Sequence, residues 1–386
     1  MRRPSDVYDF DVNRACHRGM FSRRFLKKHL GDEERIFGAW RWCVIADDFC
    51  ILDGYLQDES ITVASDGFRV IAVDLVDKRL IATLMGNCRT SYRSLARQVG
   101  MSSTAVKKRV DKLIESGVIQ QFIPQLRLEM LDADFFLAWI TTDGSEHDDE
   151  FIDAIGSNHM VLEVARVGPR VFDVGGEVSG TTGVVELVKF FRGFDSVTEV
   201  KLHILEPVFP TALPPQHKYV YRGRKVTFTH SQLRVLKCLI EDTRMPTSEI
   251  ASLTGLTPRR VRQILKEIRE GGGVLLTIRP IFGKGSVNSF WILIGLKEDS
   301  IPPHEIVKWF HEQYPFEYWN SFIFADEPTL IHFCTAKKLH DIELISESVK
   351  QAPFTQWAEA QVMYPQRKFV GMSSIRLQEL IDDAGV

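Results

Sequence analysis

The sequence predicts an α+β chain in which two helix-turn-helix segments, each a winged-helix candidate, alternate with two βαββαβ segments behind a small N-terminal module. Three observations carry this. The stretch from Leu80 to Leu113 returns about 155 positions later, with Leu80, Leu84, Leu95, Ala96, Gly100, Val106 and Val110 answered by Val235, Leu239, Ile250, Ala251, Gly255, Val261 and Leu265. Each copy is followed by a segment in which the helical period gives way to short alternating runs. Charge is sorted along the chain: residues 74–121 hold 9 basic and 4 acidic residues and residues 224–280 hold 11 and 5, whereas residues 122–210 hold 6 and 16. A polyanion would meet the two helical segments and be repelled by what lies between them.

Composition sets the outer bounds. A chain of 386 residues, 44% hydrophobic and 26% charged, has room for two to four domains. No apolar run approaches the ~20 residues that span a bilayer, and Phe290 to Leu296 is strand-sized. The basic start MRRPSDVYDF lacks the apolar core of a signal peptide, so a cytoplasmic protein is expected. Cys16, Cys43, Cys50, Cys88, Cys238 and Cys334 show no pairing rhythm and fit reduced thiols. Cys16, His17, Cys43 and Cys50 could supply soft ligands, but their spacing matches no compact zinc motif, so no metal is expected. No phosphate loop, nucleophile elbow or HExxH is present, no cofactor is implied, and the chain reads as a non-enzyme.

Residues 1–73 form the N-terminal module, with a basic stretch MFSRRFLKKHL, aromatic Phe37, Trp40 and Trp42, and short β-like runs through Phe68–Val73. The first helix-turn-helix occupies 74–121: ARQVGMSS needs a glycine to reverse the chain and a hydroxyl to cap the next helix. The first βαββαβ segment, 122–209, has strands at Phe135–Thr142, Val161–Val167, Val171–Val178 and Thr198–Leu205 and helices at Asp148–Ile155 and Thr182–Phe191. Its pattern is ferredoxin-like, with two helices on one face of an antiparallel sheet. Pro207, Pro210, Pro214 and Pro215 place a linker up to residue 225. The second helix-turn-helix spans 226–280, where Thr257-Pro258 puts the cap and first-turn proline in order. The second ferredoxin-like segment, 281–370, has strands Ser289–Leu296, Tyr318–Ala325, Thr329–Thr335 and Thr355–Tyr364 and helices Pro303–Tyr314 and Leu339–Gln351; residues 371–386 read as a tail.

The run DLVDKRLIATLMGNCRTSYRSLARQVGMSSTAVKKRVDKLIESGVIQQFIPQL resembles the DNA-binding domain of Lrp/AsnC (feast/famine) transcriptional regulators. The resemblance rests on the opening Asp74–Asp77, the turn Gly100, the stretch SSTAVKKRV and the Gly117-Val118-Ile119 exit into a strand. It covers residues 74–209 well and 226–365 only in architecture, so the chain looks like a tandem fusion of two such units. It implies a sequence-specific DNA-binding regulator with double-stranded DNA as partner. It also implies a small-molecule effector such as an amino acid, and homo-oligomers formed through the ferredoxin-like segments. The final strands, Val197–Leu205 and Thr355–Tyr364, offer sheet edges for that pairing.

In the first recognition helix Val106, Val110 and Leu113 have core spacing, which leaves Ser103, Thr104, Lys107 and Lys108 for the groove. In the second, Val261, Leu265 and Ile268 form the core stripe, and Arg259, Arg262, Gln263 and Lys266 face outward. Arg and Gln can read guanine and adenine bidentately, whereas lysine is a point charge suited to phosphate. The alternative for each residue singly is a solvated helix face. The family's Gly-x-x-Asp turn, near which effectors bind, is represented by VGPRVFDVGG, with Gly168 and Asp173 the candidate effector residues; a turn carboxylate of purely structural role is the other reading. Siroheme decarboxylases share the architecture, and His159, His203, His332, Arg166 and Arg170 would be their candidates here, but no His-x-Tyr-Arg-like run is present. A siroheme-decarboxylase-like enzyme and a non-DNA-binding assembly protein are the alternative functions.

Overall fold

The computed structural model describes residues 45–46, 49–50, 73–209, 223–284, 287–364 and 366–386. Contacts divide the chain into Met1–Arg69 and Val70–Val386. In the first unit the description is confined to an antiparallel pair, β1 (Ile45–Ala46) with β2 (Phe49–Cys50). The expected basic helix, the aromatic cluster and the side chains of Cys16, His17, Cys43 and Cys50 lie outside the described residues.

The second unit opens with three helices, α1 (Leu75–Gly86), α2 (Tyr92–Val99) and α3 (Ser103–Glu115), and a wing strand, β3 (Ile119–Leu126). After a one-turn helix, α4 (Leu128–Leu131), come β4 (Asp134–Thr142), α5 (Asp148–Gly156), β5 (Val161–Gly168), β6 (Val171–Val178), α6 (Gly180–Phe191) and β7 (Val197–Pro207). The order then recurs: α7 (His230–Glu241), α8 (Thr247–Thr254), α9 (Pro258–Gly271), wing β8 (Val274–Pro280), β9 (Asn288–Leu296), α10 (Pro303–Gln313), β10 (Tyr318–Phe324), β11 (Thr329–Ala336), α11 (Leu339–Lys350) and β12 (Thr355–Met363). Each βαββαβ element sits within two residues of its expected bounds, because alternation and capping are local signals.

β4 to β7 and β9 to β12, with a short β13 (Arg367–Lys368), share one nine-stranded sheet in the order β12-β9-β11-β10-β7-β4-β6-β5-β13, so each half carries the same internal order. The joint is antiparallel pairing of Phe322, Ile323 and Phe324 on β10 with Pro207, Glu206 and Leu205 on β7. The joint takes up only the C-terminal end of β7; from Val197 to His203 the strand pairs with β4 alone, so most of the expected β7 edge stays open among the described residues. β12 pairs with β9, and the chain leaving it runs beside β5: the Tyr364 amide donates to the Arg166 carbonyl at 2.9 Å, and β13 (Arg367–Lys368) pairs with β5.

One face of each half is covered by its own helices. Phe136, Ala138, Ile140, Phe172 and Val174 pack with Phe151, Ile155, Leu187 and Phe191. Phe290, Ile292, Ile294 and Leu330 pack with Ile306, Phe310, Ile345 and Val349. The opposite face supplies Leu137, Trp291, Leu293, Phe322, Phe324 and Phe333 to a third core that runs on into the helix-turn-helix segments.

Residues 371–386 are not a tail. They form α12 (Met372–Asp383), which buries Ser373, Leu377 and Ile381, and the Leu126 amide donates to Ser373 Oγ at 2.7 Å. Part of the expected linker is strand, since Pro207 ends β7. Residues 210–222 lie outside the described residues, and the stretch after them is tied down by Arg224 N to Gly272 O at 3.0 Å and a Lys225–Asp132 ion pair.

Candidate nucleic-acid interface

Local chemistry fixes both recognition helices. Gly100 (φ 70°) and Gly255 (φ 64°) take the left-handed conformation that reverses the chain after α2 and α8. Ser102 accepts from the Ala105 amide to start α3, and Thr257 accepts from the Arg260 amide to start α9, with Pro258 in the first turn. Helix α3 is tied to α1 by Arg109, which reaches Asp74 Oδ2 and Asp77 Oδ1, both at 2.8 Å. Asp74 and Asp77 also form the capping box of α1, so one acidic pair starts the first helix and anchors the third.

Val106, Val110 and Leu113 are buried, and Ser103, Thr104, Lys107 and Lys108 are exposed on α3. Lys107 pairs with Asp111 one turn on, at 2.7 Å. On α9, Arg259, Arg262, Gln263 and Lys266 are exposed. The core stripe is Val261, Ile264 and Ile268, with Leu265 only half-buried, so the expected stripe is one residue off at its centre. Gln263 donates to Glu267 at 3.2 Å, and Glu267 also takes Arg260 at 3.0 Å. Among the described residues, Lys108, Arg259, Arg262 and Lys266 join no ion pair, so their charges face solvent undivided.

The wings hold the two segments together: β3 and β8 pair antiparallel from Leu126↔Val274 to Ile119↔Pro280. Thr243 Oγ1 donates to the Phe122 carbonyl at 3.0 Å, and the Cys88 amide to the Leu276 carbonyl at 2.8 Å. Positions 88 and 243 are equivalent in the repeat. Arg89 and Arg244, which follow them, also cross between segments; the repeat register would have paired them, but read alone each is one basic loop residue among several.

The two effector candidates separate. Gly168 ends β5 at the hairpin and its carbonyl accepts from Arg166 Nε at 3.0 Å. Asp173 lies within β6, not in a turn, and is 3% exposed. Its carboxyl accepts from Trp291 Nε1 in the other half of the sheet, and burial pushes its pKa up to about 7, against the lowering by the indole hydrogen bond. The tetrapyrrole candidates do not gather either. His332 is fully buried in the helix-side core, stacked on Phe310 at 4.4 Å with Nδ1 2.6 Å from Ser321 Oγ. His203 stacks on Phe324 at 4.3 Å and meets the Asp326 carboxylate at 3.0 Å. His159 and Arg170 are exposed, and Arg166 pairs with Asp148.

Residues 73–120 match the family model described as winged helix-turn-helix DNA-binding. The HTH-type transcriptional regulator LysM of Sulfurisphaera tokodaii is 42% identical over 57 residues, 15% of this chain and 41% of the relative. The regulatory protein AsnC of Escherichia coli K12 is 40% identical over 47 residues, 12% of this chain and 31% of the relative. The chain thus spans about two fifths of the length of the first of these relatives and less of the second. Among solved structures, E. coli AsnC aligns with a TM-score of 0.29 and 22% identity over 37% of this chain and 99% of its own. The siroheme decarboxylase NirDL aligns with a TM-score of 0.48 and 15% identity over 81% of this chain and 99% of its own. The first helix-turn-helix is therefore a winged DNA-binding domain with homologues among Lrp/AsnC-type transcriptional regulators. Among the described residues no helix is long and apolar enough to cross a membrane.

Proposed function

We propose that this chain is a sequence-specific DNA-binding transcriptional regulator of Lrp/AsnC type, in which two such units are fused and present two non-identical recognition helices. The observation that carries the reading is the pair of exposed faces, Ser103, Thr104, Lys107 and Lys108 on α3 and Arg259, Arg262, Gln263 and Lys266 on α9, held on one scaffold by the β3–β8 ribbon. Lysines at the first face contribute mainly phosphate contacts, and the planar forks at the second read base edges. Because the faces differ, the preferred half-sites are asymmetric. The β7–β10 joint supports a pseudo-dimer within one chain, and Val197–His203 of β7, paired with β4 alone, keeps an edge for association between chains. Gly168 and Asp173 do not form one effector site in this reading, since the first lies at a hairpin end and the second is buried between the halves. Working on DNA, the protein belongs in the cytoplasm, and small-molecule modulation is part of the proposal.

Affinity for preferred and scrambled duplexes, measured at several salt concentrations, tests it. Replacing Lys107 and Lys108 with Ala should weaken binding to both and lower the salt slope by about 1 for each phosphate no longer neutralised. Arg262→Ala should cost roughly 1–3 kcal/mol on the preferred site and relax discrimination at a base or two. If neither variant changes binding to either duplex, the reading fails. Titration with siroheme should leave the visible spectrum unchanged; a shifted spectrum would turn the reading toward the enzyme.

A further inference from the structure

The wing strands, the inner face of the sheet and α12 enclose a cavity of about 380 Å³, within the range of small-molecule sites. Its wall includes Glu177, which is 0% exposed and has neither carboxyl oxygen in a hydrogen bond of good geometry, although the Ser373 amide and Gln125 side chain lie near it. Asn320 Oδ1, on the same wall, is likewise buried and unpartnered. A buried carboxyl group whose nearby donors, the Ser373 amide and the Gln125 side chain, are poorly aligned, and a buried amide oxygen with no partner, are costly, and a ligand that supplies N–H groups would relieve both. The lining holds five acidic residues against three basic ones, so its charge favours a cation. Lys368 is already engaged by Glu163, whereas Arg279, in the field of Glu177, has no ion-pair partner among the described residues. Phe135, Phe322, Phe333 and Trp291 add aromatic surface that suits an apolar body and attracts a cation over its faces.

We propose that this cavity binds a small organic ammonium ion with an apolar body, whose N–H groups donate to Glu177 and Asn320. The site goes beyond the DNA-binding reading and is distinct from the Gly168 and Asp173 positions.

The test is calorimetric titration of the full chain, without DNA, using three probes of matched shape: benzylamine, benzyl alcohol and benzoate. Benzylamine should bind at least tenfold tighter than the other two at pH 7.5. Glu177→Gln should bring its affinity to that of benzyl alcohol. Asn320→Leu, whose substitution leaves Glu177 in place, should weaken benzylamine by severalfold and serves if the Glu177 variant does not fold. Benzoate or benzyl alcohol matching benzylamine would overturn the proposal. So would a cavity that binds none of the three and therefore holds only water, or variants that leave the preference intact. None of these outcomes depends on DNA binding.

Discussion

Arg89 and Arg244 stand 155 positions apart at equivalent places in the repeat, and each reaches across to the other helix-turn-helix segment. Arg89 donates to the carbonyls of Thr243 at 2.6 Å and Met245 at 2.9 Å. Arg244 lies 4.7 Å from the Tyr92 ring centroid and 5.3 Å from that of Phe122. The same arginine thus serves as a double donor on one side and as a cation over two rings on the other, which couples the segments beyond the β3–β8 ribbon.

If this coupling sets the spacing between the recognition helices, its removal should change both stability and the response to half-site spacing. Arg89→Ala removes two charged hydrogen bonds to carbonyls and should cost about 1.5–3 kcal/mol in denaturant unfolding. In DNA binding, inserting half a turn of B-DNA, about 5 base pairs, between the half-sites should cut wild-type affinity toward that of a single half-site. The double variant Arg89→Ala, Arg244→Ala should show a smaller penalty. An equal penalty in both proteins would mean that the arginines do not set the spacing.

In the proposed DNA complex Asp111, which pairs with Lys107 at 2.7 Å, would compete with phosphate for it. Their ion pair is exposed and screened by solvent, so releasing the lysine and removing a negative charge should tighten binding by a few-fold in Asp111→Asn. The gain should shrink as salt rises. A variant that binds more weakly at every salt concentration would place Lys107 away from the phosphates.

The buried Asp173 gives stability a defined pH dependence. Its carboxyl pKa stands at about 7 in the folded chain against 3.8 when unperturbed, because burial penalises the charge. Between those values the unfolded chain has released a proton that the folded chain keeps, so stability falls as pH rises from about 4 to about 7, by at most about 1.4 kcal/mol per pH unit. Asp173→Asn keeps an oxygen for the Trp291 indole and removes the titration. Unfolding free energies at pH 5 and pH 8 should therefore show the variant gaining on the wild type at the higher pH, while Glu177, present in both, cancels. The same pH dependence in both proteins would exclude Asp173 as its source.

The C-terminal helix supports the fold through Leu377, which is 1% exposed in the core shared with the helix-turn-helix segments. Leu377→Ala should lower unfolding free energy by roughly 2–5 kcal/mol. A change under about 0.5 kcal/mol would show that α12 docks without contributing to stability.

The sequence by itself determined the elements and their order. Gly100 and Gly255, the caps at Ser102 and Thr257, and the period of each apolar run are local signals, and they located the helix-turn-helix segments and every strand of both βαββαβ segments. They also placed the exposed faces of α3 and α9, with a one-residue slip at Ile264 because a helical stripe wide enough to include Leu265 does not say which side is deeper. Tertiary structure alone decided the pairing of β7 with β10 and of β3 with β8, since strand alternation fixes which face is apolar but not which strand lies alongside. It also turned residues 371–386 from a tail into a docked helix. The inner face of the sheet was the least legible part. Glu163, Asp173 and Glu177 alternate with apolar residues as a solvated face would, and only the fold covers them with wings, a second half-sheet and α12, so their burial and the Asp173–Trp291 bond arise from contacts more than a hundred residues apart.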